Sequence, residues 1–69
     1  MDVIYSDHAK KRMKQRGITE LEVMHILKHP MYVKKTFDER KEAYGEIKSR
    51  RIKVEFTETE SYIRIITVI

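Results

Sequence analysis

Hydrophobic and polar positions divide the chain into a helical first half and a strand-forming second half. In the first half, apolar residues recur at the spacing of one helix face, and the segments are bounded by residues that typically begin or stop helices. In the second half, apolar and polar residues alternate with the period of a half-buried strand. The pattern predicts a single α+β domain over residues 1–69.

The boundaries of the first predicted helix are set by a capping residue and a glycine. Ser6 is a favourable N-cap because its side chain can accept a hydrogen bond from a free backbone N–H of the first turn. Gly17 is suited to the left-handed conformation in which helices often end. We therefore expect a helix from Asp7 to Arg16.

A second helix follows after a short turn. Thr19 is its expected N-cap, and Glu22 lies three residues later, which completes a capping box. Pro30 disfavours helical backbone in the residue before it, so the helix should stop near Lys28 or His29. The two helices together form a tight hairpin.

The second half predicts an antiparallel sheet of about four strands, with both helices packed on one of its faces. Gly45 lies inside one strand and is expected to mark a bulge. The final segment is rich in β-branched residues and apolar on both faces, as in a central strand. The predicted strands are Tyr32–Phe37, Glu42–Lys48, Ile52–Thr57 and Tyr62–Ile69, with a short further strand at Val3–Tyr5.

The net charge of +4 is concentrated in the first half of the chain. Residues 1–35 contain eight Lys or Arg against four Asp or Glu, whereas residues 36–69 contain seven of each. Five of the cations fall between Lys10 and Arg16. Such a cluster favours a polyanionic partner, most commonly a nucleic acid, although a solvated helix face has the same composition.

The composition excludes several other classes of chemistry. The chain has no cysteine, so it offers no disulfide and no thiolate nucleophile or metal ligand. No segment approaches the roughly 20 apolar residues of a membrane-spanning helix, and no signal peptide is recognisable. With only two glycines there is no glycine-rich phosphate loop. We expect a cytoplasmic protein with no cofactor and no membrane partner.

Helical geometry places part of the basic cluster towards the body of the domain. His8, Arg12 and Arg16 are spaced four residues apart and therefore lie on one side of the first helix. Arg16 falls within the apolar arc of Ala9 and Met13, and Arg12 falls at its edge. The lysines are expected on the opposite, solvated side: Lys10, Lys11 and Lys14.

Arg64 is a second unusual cation, since it lies in the middle of the apolar final strand. A charge in that position must be paired or must face a cleft. Two interpretations remain open for Arg64 and for the helix arginines. They can pair with sheet glutamates such as Glu55 or Glu46, or they can hold phosphates with the two-pronged guanidinium.

The histidines suggest proton transfer more than metal binding. Histidine exchanges protons near neutral pH, so His8 can serve as a general acid or base, or it can have a purely structural role. His25 and His29 have a spacing that can hold a metal, but no third ligand is evident beyond Glu22, one turn earlier. The sequence therefore predicts no metal site.

Residues 6–19, SDHAKKRMKQRGIT, resemble a signature of a family of small prokaryotic domains of unknown function. The signature is S-x-H-A-x-x-R-x-x-x-R-G-I-S/T, and a helix ending near Pro30 and a strand-rich half follow it. The final Arg64-Ile65-Ile66 is similar to the last strand of BrnT toxins, in the RelE/ParE-like superfamily. The chain departs from BrnT in having Arg16-Gly17 where those proteins have a Lys-His-Gly turn.

The resemblance implies a RelE/BrnT-like fold and a metal-independent endoribonuclease toxin. The implied partners are RNA, in some members on the ribosome, and a neutralising antitoxin protein. The implied catalytic residues are His8, Arg12, Arg16 and Arg64, with Tyr62 and Glu55 as weaker candidates for proton transfer. The alternative is a non-catalytic protein-interaction module in which the motif residues are structural.

Overall fold

The structure is a computed structural model that describes residues 2–69, within which two helices and five strands form. All five strands belong to one sheet, with the order β1-β5-β4-β3-β2, and both helices pack on one face of it. The elements are β1 (Asp2–Tyr5), α1 (Asp7–Arg16), α2 (Glu20–Lys28), β2 (Tyr32–Lys35), β3 (Lys41–Ile47), β4 (Arg50–Glu58) and β5 (Tyr62–Val68).

Helix α1 has the boundaries that its capping residues predict. The Ser6 hydroxyl accepts a hydrogen bond from the Ala9 N–H at 3.0 Å, and Gly17 ends the helix with φ +66°. Ala9 and Met13 are buried and attach the helix to the sheet. The local sequence therefore specifies both the length of α1 and the face that it buries.

Helix α2 begins with the predicted capping box. The Glu22 N–H donates to the Thr19 hydroxyl at 3.2 Å, and the Thr19 N–H donates back to the Glu22 carboxylate at 2.8 Å. This backbone hydrogen bond is the main reason that the pKa of Glu22 is lowered. Val23 and Ile26 are fully buried, so α2 supplies the centre of the hydrophobic core.

The sheet differs from the prediction of about four antiparallel strands, because β1 adds a fifth strand and pairs with β5 in parallel. Asp2 lies opposite Tyr62, and Tyr5 lies opposite Ile65. The helical hairpin follows β1 directly, so it serves as part of the crossover that a parallel pair requires. As a result β5 is hydrogen-bonded on both sides, which suits its largely apolar sequence.

The predicted bulge at Gly45 is wrong, and the irregularity lies in β5 instead. There the pairing with β4 skips Ile66, so that Ile65 and Thr67 lie opposite consecutive residues of β4. Gly45 pairs regularly, but a Cβ at this position would lie 2.8 Å from Cγ1 of Ile26. Glycine is therefore required here for the close approach of α2 to β3.

The two faces of the sheet differ in character. The face beneath the helices is the core, with buried Ala43, Ile52, Val54, Phe56, Ile65 and Val68. In the described part of the chain no helix covers the opposite face, which we call the open face. Strand register and alternation place on the open face Tyr32, Lys34, Glu42, Tyr44, Glu46, Arg51, Lys53, Glu55, Thr57 and Arg64.

Candidate functional site

The exposed side of α1 carries a shallow groove of about 270 Å³. Its lining residues follow the spacing i, i+3, i+4 and i+7 of one helix face: His8, Lys11, Arg12 and Gln15. Lys11 is exposed, as predicted, and it lies one turn from His8 and next to Arg12 in the sequence. We call these four residues the α1 groove.

The cations of α1 have no carboxylate partners within residues 2–69. The ion pairs of this part of the chain all lie elsewhere, between β4 and β3 or the residue before β3: Arg40–Glu55 at 3.3 Å, Lys41–Glu58 at 3.0 Å and Lys53–Glu42 at 3.4 Å. The helix itself has a single acidic residue, Asp7, in its first turn. The positive charges of α1 therefore add together and favour an anionic ligand.

The predicted inward position of Arg16 is wrong, since its side chain is exposed. Ile18, which is buried just beyond the helix, fills the core at this end of α1 instead. The backbone of Arg16 has a structural partner, because its carbonyl oxygen accepts a hydrogen bond from Nη2 of Arg50 at 2.7 Å. Arg50 thus satisfies one of the carbonyls left free at the helix end.

The start of α1 is attached to β5 through Ser6. The Ser6 hydroxyl donates to the Ile66 carbonyl at 2.8 Å, while it accepts the N-cap hydrogen bond of the helix. The Ser6 N–H donates to the Ile65 carbonyl at 3.0 Å. These bonds fix His8, two residues further on, relative to the strand that carries Arg64.

Arg64 is exposed on the open face and does not pair with Glu55. The strand register explains this, because Arg64 lies opposite Thr57 whereas Glu55 lies opposite Thr67. The Glu55 carboxylate accepts from Nη1 of Arg40 instead. Arg64 lines a separate groove of about 390 Å³, together with Ser6, Asp38, Arg40, Thr57 and Ile66.

The structure thus brings together two of the four predicted catalytic residues. His8 and Arg12 share the α1 groove. Arg16 lies at the far end of the helix, and Arg64 lines a groove on the open face. Of the two interpretations left open, carboxylate pairing does not occur for Arg12, Arg16 or Arg64 within residues 2–69. The four residues also do not line a single cleft.

A polar network on the open face was not anticipated from the sequence. The Tyr44 hydroxyl donates to Oε1 of Glu42 at 2.9 Å, and the Lys53 ammonium lies 3.4 Å from Oε2. The hydrogen bond from Tyr44, followed by the interaction with Lys53, holds the pKa of Glu42 below its usual value. The same hydrogen bond raises the pKa of Tyr44.

Tyr44 also stacks on Tyr32 of the neighbouring strand, with ring centroids 4.4 Å apart and an interplanar angle of 16°. The alternation of Glu42, Tyr44 and Glu46 could have placed these side chains on one face. The contact with Tyr32 requires the β2–β3 register, which the local sequence does not reveal.

His25 of α2 and His29, which caps the end of that helix, lie close together, with ring centroids 5.3 Å apart. Over residues 2–69, no three His, Asp or Glu side chains are gathered as ligands for a metal ion. Neither helix described here has the length and apolar character needed to cross a membrane.

Comparison with known families gives one match, which spans residues 5–69 and is described as a domain of unknown function, DUF4258. The chain belongs to the DUF4258 family. This confirms the expectation of a small domain of unknown function. No curated protein and no solved structure matches the chain.

Proposed function

We propose that this DUF4258 domain binds RNA through α1 and cleaves it without a metal ion, as a RelE/BrnT-like toxin would. The observation that carries the proposal is the α1 groove, where one imidazole lies beside Lys11 and Arg12 and none of these cations has a carboxylate partner within residues 2–69. A proton acceptor next to unneutralised phosphate-binding groups suits RNA transesterification. The arrangement of two N-terminal helices on one face of a sheet agrees with the layout expected of such toxins.

In the proposed reaction, His8 accepts the proton of a ribose 2′-hydroxyl. The 2′ oxygen then forms a bond to the adjacent phosphorus, and the bond from phosphorus to the 5′ oxygen breaks. The leaving 5′ oxygen takes a proton from water, and the products are a 2′,3′-cyclic phosphate and a 5′-hydroxyl. Arg12 and Lys11 stabilise the negative charge that builds on the phosphate.

The exposed Arg16 and Arg64 are proposed to contact phosphates further along the strand. Phosphate contacts position a nucleic acid without specifying its sequence. On this proposal the two arginines contribute to affinity, whereas His8 and Arg12 contribute to the chemical step. The substrate is RNA, either free or on the ribosome.

The test is incubation of the purified protein with a mixed-sequence RNA in the presence of a chelator. We expect cleavage by the wild-type chain, and a loss of about 100-fold or more for His8→Ala, the range typical of a lost general base. The matched control is His25→Ala, which removes an exposed histidine from α2 and should leave cleavage unchanged. Products ending in a 2′,3′-cyclic phosphate would identify the reaction.

Other outcomes separate binding from chemistry. RNA that binds but stays intact, alone and on ribosomes, would reduce the proposal to RNA binding. Cleavage that His8→Ala leaves unchanged would contradict the assigned site. Absence of binding to RNA and to ribosomes would contradict the proposal as a whole.

A second candidate function, a protein-interaction module, is favoured by the edge strand β2. All four of its residues are exposed, and its unpaired edge is accompanied by exposed apolar side chains, namely Met31, Tyr32, Val33 and Phe37. Exposed edges of this kind accept a strand from a partner. On this proposal the partner is an antitoxin-like protein. The test is co-purification with the product of the neighbouring gene, which Val33→Glu should abolish and Lys28→Gln should preserve.

A further inference from the structure

The open face carries a groove of about 320 Å³ that lies outside the proposed cleavage site. Its walls combine flat aromatic rings, aliphatic side chains and two cations, namely Tyr32 and Tyr44, Met31 and Ile69, and Arg51 and Lys53. The groove crosses the sheet from the edge strand β2 to the residue that follows β5. Because the strand register places its tyrosines and cations on the open face, the groove lies on the other side of the sheet from the helices.

The tyrosine pair provides a stacking surface that is open to solvent. Tyr44 covers one face of the Tyr32 ring, and β2 is the outermost strand, so no further strand lies beyond Tyr32. Tyr32 is 56% exposed. Every nucleic-acid base has a flat π-face, and stacking on an aromatic side chain is a common mode of binding for single strands.

The position of Tyr44 is held by polar contacts. Its hydroxyl donates to the nearly buried Glu42, and the second oxygen of that carboxylate lies beside Lys53. A ring that is already held in place loses little conformational freedom when a ligand stacks against the pair. The network therefore supports a surface formed before binding.

The cations of the groove are not equivalent. Lys53 is neutralised by Glu42. Arg51 is exposed, and none of the carboxylates in residues 2–69 lies within ion-pair distance of it, including Glu46 opposite it on β3. A guanidinium without a partner, in the same groove as an aromatic surface, is suited to bind a phosphate of a strand whose base stacks there.

We propose that the groove of Tyr32, Tyr44 and Arg51 is a nucleotide-binding site that stacks one base of an RNA single strand and holds its phosphate. The choice of RNA as the source of the nucleotide rests on the proposed function. The same chemistry would accept a free nucleoside monophosphate. The site has no part in the chemical step, which is assigned to the α1 groove on the helical side of the sheet.

The test is an NMR titration of the ¹⁵N-labelled protein with two probes, adenosine 5′-monophosphate and the hexanucleotide r(A)6. We expect both probes to shift the amide signals of Tyr32, Tyr44 and Arg51. Tyr32→Leu and Arg51→Gln should each weaken binding between about 5-fold and 100-fold, as expected for the loss of one stacked base or one phosphate contact. Tyr32→Phe, which keeps the ring, should bind like the wild type.

The control for charge alone is Lys28→Gln, on α2 and away from the groove, which should leave the affinity for adenosine monophosphate unchanged. The amide spectrum of each variant also reports whether it is folded. Wild-type affinity in a folded Tyr32→Leu variant would overturn the inference. So would signal shifts confined to α1.

The outcomes separate this inference from the proposed function. RNA cleavage that depends on His8, without shifts in the groove, would keep the function and overturn the nucleotide site. Binding of adenosine monophosphate in the groove without RNA binding would keep a nucleotide site and overturn the RNA proposal. Binding of neither probe would overturn the nucleotide site.

Discussion

Helix α1 and the β3–β4 pair are both rich in cations, but they use them differently. Five cations lie within residues 10–16 of α1, and none of them forms an ion pair with residues 2–69. Each of the three ion pairs instead joins β4 to β3 or to the residue just before it. The same residue types thus give a charged surface in one region and a neutralised one in the other.

The difference follows from the geometry of the two elements. In an antiparallel pair, neighbouring strands bring acidic and basic residues from distant positions side by side, so carboxylate partners are available for cations such as Lys41 and Lys53. On a helix surface the available neighbours are three and four residues away. In α1 those neighbours include several further cations and a single carboxylate, that of Asp7, so the positive charges reinforce one another.

Among changes in the β3–β4 pair, whose carboxylates form the ion pairs, Glu42→Ala is expected to have the largest effect. This change leaves the Tyr44 hydroxyl and the Lys53 ammonium without their partner on the open face. We expect the free energy of unfolding to fall by about 1 to 3 kcal/mol, as for loss of a hydrogen-bonded charged group. Urea unfolding measures this, and Glu46→Ala, an exposed position on the same face of β3, is the matched control. Equal effects of the two changes would contradict the assigned role.

The same carboxylate makes stability depend on pH. Because the hydrogen bond from Tyr44 lowers the pKa of Glu42 in the folded state, the unfolded chain binds a proton more readily. The contribution of Glu42 is therefore present above the ordinary glutamate pKa and is lost as pH falls through the lowered value. We expect the wild type to lose more stability than Glu42→Gln between neutral pH and strongly acidic pH. Parallel pH profiles of urea unfolding would count against this.

The double change Lys11→Gln/Arg12→Gln tests whether the positive charge of α1 binds RNA. If α1 binds RNA, removal of two phosphate contacts should weaken binding and reduce the slope of log affinity against log salt by about 1.4, at about 0.7 per contact. The measurement is fluorescence anisotropy with a labelled single strand at several salt concentrations. The control, Lys28→Gln/Lys41→Gln, removes two positive charges from positions outside the α1 groove. Lys28 lies in α2, and Lys41 forms an ion pair with Glu58. A control slope that falls equally would show that the location of the charge is unimportant.

The smallest expected effect concerns the β3–β4 turn, which is followed by Arg50, the residue that donates a hydrogen bond to the end of α1. Lys48 and Ser49 have φ of 51° and 67°, a left-handed conformation that favours Asn-Gly. We expect Lys48→Asn/Ser49→Gly to stabilise the fold by about 1 kcal/mol, because Asn and Gly adopt the left-handed conformation at lower cost. The shift in the midpoint of thermal unfolding measures this stabilisation. Glu60→Gly, in a turn where φ is not left-handed, is the control and should not stabilise.

The helices could be predicted almost completely from the sequence, whereas the sheet could be predicted only in part. Both helices have the expected bounds, because caps such as Ser6 and Thr19 act on residues within one turn. The parallel pairing of β1 with β5 joins the two ends of the chain. No local pattern encodes it, since it depends on how the helical hairpin crosses the sheet.

The candidate site, like the fold, could be predicted from the sequence only in part. His8 and Arg12 share a groove because four residues separate them on one helix, and this spacing is visible in the sequence. The exposure of Arg16 depends on Ile18 filling the core beyond the helix. The environment of Arg64 depends on the register that places it opposite Thr57.

The sequence by itself determined the helix ends, the apolar faces, the identity of most strands and the concentration of positive charge in α1. These properties arise from interactions within a few residues along the chain. Only the tertiary structure decided which cations are neutralised, where the bulge lies, and that Tyr32 stacks on Tyr44 beside Arg51. Those properties depend on strand register, and a shift of one residue would move each side chain to the other face of the sheet.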